Sequence, residues 1–317
     1  MTIRHHLKEI GRGARGARSL SAEQAEDLMS QVLDGSVTDL EIGAFAIGMR
    51  VKGETVDELL GFLRAAHQRC LPLPGDQPVV LLPSYNGARK LPNLTALLAL
   101  RLAQQGLRVL VHGPRHDPGR VTTAEVFHDL GLALADNSAG VLQAWQRHEP
   151  AFMPIDVLCP PLARLLDVRW VVGLRNSGHT VAKMLQPCAG LQALRVVNHT
   201  HPEFGELMAA YAQRDAAHLL LLRGTEGEPV ADPRRAPRLQ VFVHGQRHPG
   251  LSSAAQEGVL TQLPVLPASH DAATTARYIQ AVISGEQPMP APLEAQAQAL
   301  IDTLAAMASP SAQELRA

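Results

Sequence analysis

Aromatic residues are scarce in this chain: 2 Trp, 3 Tyr and 6 Phe make up 3% of its 317 residues. A binding surface built from stacked aromatic platforms is therefore excluded as a general strategy. The core must come from Leu, Val and Ala, within an apolar content of 46%. Cysteine is scarcer still. Cys70, Cys159 and Cys188 are scattered without C-x-x-C spacing, which excludes a structural zinc cluster and a disulfide framework. Charge of one sign is missing too, since 29 Lys and Arg face 30 Asp and Glu for a net charge of −1. Any nucleic-acid surface must then be a local concentration of Arg and Lys. No apolar run is long enough to span a membrane, and no signal peptide is evident. The expectation is a soluble cytoplasmic protein without a membrane partner.

What is present begins with a basic segment. Arg4 to Arg18 carries five Arg and Lys against one Glu, interrupted by glycines. It reads as a flexible arm able to follow a phosphate backbone, or as a solvated N-terminal helix followed by a loose turn. Three helices are expected next. Ser21-Ala22-Glu23-Gln24 is a capping box whose helix should end near Gly35. Thr38 or Asp39 caps a second, running to Lys52-Gly53, and Thr55 opens a third. Their apolar residues fall at helical spacing, so they are core faces. Leu71-Pro72-Leu73-Pro74-Gly75 reads as a stiff linker, with helices from about 160–187 packed back on a helical domain of residues 1–72.

From Val79 the pattern changes to alternating strands and helices, which predicts a second domain over 76–317. Val79–Leu82 is a buried strand, and Leu94–Leu100 starts a helix with Asn93 as N-cap and Gly106 as its stop. The loop between them holds Ser84, Tyr85, Asn86, Gly87, Arg89 and Lys90. A strand, a polar loop and a helix N-terminus make an anion site. This loop is either a phosphate cradle or an ordinary basic surface loop, since it is neither a Walker A sequence nor GxGxxG. Leu107–Val111 is a second strand, followed by His112–Arg120 and a capping box at Thr122–Glu125. Further strands are expected at Arg195–Asn198, Ala217–Leu222 and Gln240–Val243. Helices are expected at Glu203–Gln213, Ala272–Ser284 and Leu293–Met307. The fold class is α/β: a small N-terminal helical domain plus a larger domain with a mostly parallel sheet flanked by helices. Ligands bind outside the carboxyl ends of such strands, so loops 83–93 and 112–121 should line one crevice.

Leu20–Ala25 and Asp39–Thr55 resemble the helical domain of anthranilate phosphoribosyltransferases, which belong with the class II nucleoside phosphorylases in glycosyltransferase family 3. That family follows its first strand with a GTGGD diphosphate loop and NxST, and its second with KHGN. The counterparts here are Pro83–Gly87, Asn93-Leu94-Thr95 and Val111–Pro114. The resemblance places Arg115 on a family arginine and Arg120 on a phosphate-binding lysine. It puts Arg169 near an anthranilate-binding arginine and Arg175 in a GxR stretch. It implies a homodimer through the helical domain.

The departures from that family carry as much weight. Ser84, Tyr85 and Asn86 replace small residues of GTGGD, where glycines let the backbone approach a diphosphate. The family's magnesium-holding Asp-Glu pair aligns with Pro229 and Val230, while Glu226 and Glu228 lie nearby, out of register. Magnesium is therefore not expected as a cofactor, nor is anthranilate turnover. SYNGAR and RNSGHTVAK resemble the YbiB branch, whose members are described as nucleic-acid-binding homodimers. The implied function is binding of DNA or RNA backbone with weak sequence selectivity. The expected contacts are Ser84, Asn86, Gly87, Arg89, Lys90, Asn93, Thr95, His112, Gly113, Arg115, Arg120, Arg169, Arg175 and Lys183, with Tyr85 as the one stacking candidate. The rival is a transferase using phosphoribosyl diphosphate and an unidentified acceptor. Catalytic residues are not identifiable, and the His199-Thr200-His201 pair lacks a carboxylate partner that would make it a metal site.

Overall fold

The computed structural model describes residues 2–13, 15–73, 75–188 and 192–308. Ala14 of the basic segment, Pro74 of the expected linker and the last nine residues lie outside the described residues. The chain opens with helices α1 (Arg4–Ile10), α2 (Ala22–Leu33), α3 (Asp39–Lys52) and α4 (Val56–His67). Strand β1 (Val79–Pro83), α5 (Thr95–Gln104), β2 (Arg108–Gly113), α6 (Thr123–Asp129), α7 (Ser138–Gln146) and β3 (Ala151–Pro154) follow. Next come α8 (Ile155–Leu158), α9 (Pro160–Val172) and α10 (Ser177–Met184). The rest is β4 (Ala193–Asn198), α11 (Pro202–Arg214), β5 (His218–Leu222), β6 (Leu239–Val243), β7 (Gln246–Arg247), α12 (Ala272–Ile283) and α13 (Ala291–Met307).

Two compact units divide the chain: residues 1–71 with 155–187, and residues 72–154 with 188–317. The first is helical. Its starts are set by side chains, because Ser21, Thr38 and Thr55 each complete a capping box with Gln24, Glu41 and Glu58. Phe45 and Phe62 meet edge to face at 5.9 Å in its core. Glu58 is fully buried. Its carboxylate accepts from Leu20 N–H, Thr55 N–H and Lys52 Nζ, the last at 2.6 Å. The basic segment begins as helix α1, with Ile3, His6 and Ile10 buried and His6 Nε2 2.7 Å from Asp27. Of the two readings of that segment, the helix is the one adopted over Arg4–Ile10.

In the second unit, seven strands form one sheet in the order β3-β2-β1-β4-β5-β6-β7. The first five run parallel, and β6 and β7 are antiparallel additions at one edge. All five residues of β1 are buried, as expected where helices cover both faces of a parallel sheet. Val80, Leu82, Val109, Val111, Leu194, Val196, Leu220 and Leu222 share one core with α5 and α13. β3 and β7 were not legible as strands: β3 is four residues ending in proline, and β7 is two exposed residues. Asn93 is not the N-cap of α5. Leu94 holds that position, while the side chain of Asn93 accepts from Thr95 N–H at 3.3 Å through Oδ1 and donates through Nδ2 to Thr123 in the neighbouring loop.

Candidate functional site

The parallel pairing of β1 with β2 sets Pro83 opposite His112, so both following loops leave the same end of the sheet. The chains cross very closely there. Ser84 N–H donates to His112 O at 2.8 Å, and a Cβ on Gly113 would sit 1.8 Å from Ser84 O, which only glycine permits. Further out the loops are tied as a short antiparallel bridge, Ala88 to Val121, with N–H···O distances of 2.8 and 2.9 Å. Loops 83–93 and 112–121, expected to line one crevice, are joined to each other by direct hydrogen bonds.

A third segment enters this edge. After β5 the chain makes a tight turn over Thr225–Gly227, closed by Thr225 N–H to Val230 O and Glu228 N–H to Thr225 O, both 2.8 Å. Glu226 takes a left-handed φ of 50°, costly for a residue with a Cβ. Gly227 must be glycine, since a Cβ would meet Asn86 Nδ2 at 1.7 Å. The turn aims two carboxylates into loop 84–95. Glu228, 2% exposed, accepts from Asn86 N–H and Gly87 N–H, each at 2.7 Å. It also accepts from the hydroxyls of Ser84 and Thr95. Glu226 accepts from three successive backbone N–H groups, of Arg89, Lys90 and Leu91, at 2.9, 3.0 and 3.1 Å. Burial works to raise the Glu226 pKa. The three N–H donors outweigh it, Arg120 adds to them, and the carboxyl lies below its ordinary range.

The surrounding side chains complete the cradle. Asn93 Nδ2 donates to Thr123 Oγ1 at 2.9 Å. Because Ser84 donates to Glu228, the 2.7 Å contact between Thr123 and Ser84 runs from Thr123 to Ser84. A chain of donors thus ends on the carboxylate, polarised in one direction. Tyr85 OH meets His112 Nδ1 at 2.8 Å, and both residues are buried. Burial pushes the His112 imidazole down to about 3, so it is neutral at physiological pH.

Residues 4–70 match the helical bundle domain of the glycosyl transferase family. The chain is 38% identical over 299 residues to the uncharacterized protein YbiB of Escherichia coli (strain K12), covering 93% of this chain and 92% of that one. The chain belongs to the YbiB family. Anthranilate phosphoribosyltransferases are more distant relatives of this YbiB family member. That of Roseiflexus castenholzii is 26% identical over 300 residues, covering 90% and 84% of the two chains. The crystal structure of the Thermus thermophilus anthranilate phosphoribosyltransferase superposes with a TM-score of 0.71 at 20% identity, covering 97% and 91%, and shows that the fold is shared.

Within this YbiB family structure the residues singled out from sequence separate into groups. Ser84, Asn86, Gly87 and Thr95, expected as phosphate donors, have their donors engaged by Glu228. Asn93 and Gly113 shape the loops. His112 is a buried neutral residue, not a cationic contact. Tyr85 is 3% exposed with its ring against His112, so the expected base-stacking role is corrected: no face is open to a base. Arg89 and Lys90 are exposed, Arg115 and Arg120 half-buried on the same edge. Arg169, Arg175 and Lys183 belong to the helical unit. There they gather around His179, which is pushed down to about 3 by burial first, then by the charges of Arg175, Arg169 and Lys183.

Glu226 and Glu228 are the residues whose role the sequence did not disclose. Their signal is a pair of carboxylates two apart, with Gly224 before them and Gly227 between them, shortly after a buried strand. The donor set does not fit magnesium. Both carboxylates face N–H and O–H donors, whose positive ends repel a cation, while Pro229 and Val230 offer no side-chain ligand. Pro229 O is already taken by Gln296 Nε2 at 3.0 Å.

Proposed function

We propose that this protein binds nucleic acid through backbone phosphates, on a phosphoribosyltransferase-like fold that no longer handles phosphoribosyl diphosphate. One observation carries the reading: the backbone donors of loop 84–91 are occupied by the protein's own Glu226 and Glu228. A diphosphate would need those donors, together with a cation to neutralise it. The same edge carries side-chain charge, from Arg89, Lys90, Arg115 and Arg120. Such rim cations suit an extended polyanion, whose phosphates are engaged one at a time without entering a closed cradle. The cluster of Arg169, Arg175 and Lys183 on the helical unit supports the same reading. Sequence selectivity is weak in this scheme, because the one aromatic at the site is buried.

A homodimer through the helical unit accompanies this reading. Leu40, Ile47 and Val51 of α3 are exposed, as are Trp170, Val171 and Leu174 at the end of α9, apolar side chains that a second subunit would cover. The rival, a transferase acting on an unidentified acceptor, is favoured by the 26% identity with an anthranilate phosphoribosyltransferase over 300 residues. It requires loop 223–230 to leave the cradle before substrate enters.

The deciding experiment titrates labelled single-stranded DNA, double-stranded DNA and RNA against the protein over a salt series, beside a phosphoribosyl diphosphate turnover assay. The logarithm of affinity should fall with the logarithm of salt by about 0.7–0.9 per phosphate contact. The Arg89→Ala, Lys90→Ala, Arg115→Ala, Arg120→Ala quadruple variant should bind every sequence more weakly and flatten that slope by about three. No binding at low salt, together with steady turnover, would replace this reading with the rival.

A further inference from the structure

Helix α1 has seven residues, too few to hold a helix in water unaided, so contacts outside it must fix it. One of those contacts is polar. His6, 3% exposed, sets Nε2 at 2.7 Å from Asp27 Oδ2 on α2. The pair is not alone. His5, exposed, lies against His6 with ring centroids 3.8 Å apart and planes tilted by 42°. Gln31, one helical turn after Asp27, donates through Nε2 to the same carboxylate oxygen at 2.9 Å. The oxygen of that amide, Gln31 Oε1, is buried and has no hydrogen-bond partner. One ring nitrogen from each histidine and one oxygen of Asp27 all lie within 4.8 Å of one another. Among the described residues, no other three His, Cys, Asp or Glu side chains converge in this way.

We propose that His5, His6 and Asp27 form a zinc site that staples α1 to α2. Two imidazoles and a carboxylate are a donor set that zinc takes, with bonds of about 2.0–2.2 Å. Tetrahedral angles between such bonds put the ligand atoms about 3.3 Å apart. His6 and Asp27 therefore part slightly, and the exposed His5 ring turns inward to join them. The proton held between His6 Nε2 and Asp27 leaves that position and the ion takes it, so the contact between the helices becomes a pair of coordinate bonds.

The electrostatics differ from those at Glu226 and Glu228. Those carboxylates are ringed by fixed backbone N–H groups, which repel a cation. Asp27 faces one amide and one imidazole whose proton can leave. Acceptors outnumber donors in this cluster, and Gln31 Oε1 is the acceptor left over. Gln31 Nε2 keeps its bond to the carboxylate and orients it, as outer partners of metal ligands do. The Asp27 side chain is 52% exposed, so a water reaches the fourth position. A zinc-bound water is the kind of donor that Gln31 Oε1 lacks.

The test uses untagged full-length protein, stripped with a chelator, dialysed and titrated with zinc chloride against a chromophoric zinc indicator. One zinc should bind per chain with a dissociation constant below about 10 μM. Cobalt(II) should give the intense visible absorption of a tetrahedral site, and zinc should abolish it. His5→Ala removes an exposed side chain and should fold as wild type by circular dichroism, yet weaken zinc binding at least about 100-fold. Asp27→Asn, which keeps the shape of the side chain, should do the same. Gln31→Leu should weaken it about 10–100-fold through the carboxylate alone. The chain has 14 histidines, so His201→Ala, in the exposed His-x-His pair, controls for adventitious binding and should match wild type. Wild-type binding weaker than about 10 μM overturns the proposal, whether or not any variant folds. So does binding that survives His5→Ala and Asp27→Asn unchanged, or that is lost in His201→Ala.

Discussion

Replacing Glu228 with alanine should weaken the α/β unit and, in the same protein, create a response to inorganic diphosphate. The side chain is buried, and it satisfies Asn86 N–H and Gly87 N–H at 2.7 Å each, besides two hydroxyls. The hydroxyls can turn to other acceptors, but the two N–H groups cannot. A buried donor left unpaired costs about 1–3 kcal/mol, so truncation should cost about 2–6 kcal/mol, less whatever entering water recovers. Glu228→Gln keeps an oxygen for the N–H pair and loses only charge assistance, for a cost of about 1–2 kcal/mol. The emptied cradle presents converging N–H groups at the start of α5, the arrangement that favours an anion. With a dissociation constant of about 1 mM, 10 mM diphosphate would return roughly 1.4 kcal/mol, or about 3–5 °C in a thermal melt. The assay compares wild type and Glu228→Ala with diphosphate against sodium chloride of equal ionic strength. Wild type should show no shift beyond the salt control. If wild type gains as much as the variant, the cradle is open in the native protein and Glu228 is not its occupant.

Acid should destabilise the protein well above the carboxylate range. His112 and His179 are both held near 3 in the folded state against an ordinary 6.5, so the unfolded chain takes up protons that the folded chain refuses. Stability is then full above pH 6.5 and falls below it, by about 2 kcal/mol per histidine at pH 5, with the lowered Glu226 adding to the loss only below about pH 4.5. A flat series of urea midpoints between pH 7.5 and 5 would contradict this. Glu58→Ala should cost about 3–5 kcal/mol, because it leaves Lys52 Nζ, 2.6 Å away, without its carboxylate and removes the half of the α4 capping box in which Glu58 accepts from Thr55 N–H. A loss below 1 kcal/mol in chemical denaturation would show that pair to be dispensable. Val171→Glu, at a residue 90% exposed, should leave folding intact and shift sedimentation toward monomer. An unshifted boundary at micromolar concentration would move the subunit interface elsewhere.

The helical starts were legible because they are written locally, within four residues. Ser21 to Gln24, Thr38 to Glu41, Thr55 to Glu58 and Thr122 to Glu125 all form the reciprocal bonds their spacing implies. The parallel strands were legible as apolar runs that must be buried on both faces. Ala151–Pro154 was not, since four residues ending in proline carry too little pattern, and its place beside β2 is decided by pairing alone. The site was half legible for the same reason. The anion-binding character of loop 84–95 follows from strand, loop and helix N-terminus in immediate succession. What fills that loop comes from residues 226–228, some 140 positions later. No periodicity or spacing links two such segments. Tyr85 misled because an aromatic in a polar loop reads as exposed until His112 is seen to take its hydroxyl.

On the proposed reading, the carboxylates also account for how such a loop would persist without a diphosphate. Five backbone N–H groups, from Asn86, Gly87, Arg89, Lys90 and Leu91, converge on the two acids. Unfilled, the two buried ones alone would cost about 2–6 kcal/mol, a large part of the stability of an ordinary domain. A chain that keeps this backbone while losing its ligand must either rebuild the loop or supply an anion of its own. Rebuilding is obstructed, because Gly113 and Ser84 O are in contact across the strands and Ala88 and Val121 are bridged. Supplying the anion requires only a turn after β5 that accepts a left-handed residue at Glu226, a strain of about 1–2 kcal/mol, and a glycine beside Asn86. The gain exceeds the strain. Two negative charges then sit amid Arg89, Lys90, Arg115 and Arg120, and they lower the local positive potential without removing it. A small, doubly charged ligand loses both its donors and much of its attraction, whereas a polymer of phosphates needs neither a cradle nor any one high-affinity contact.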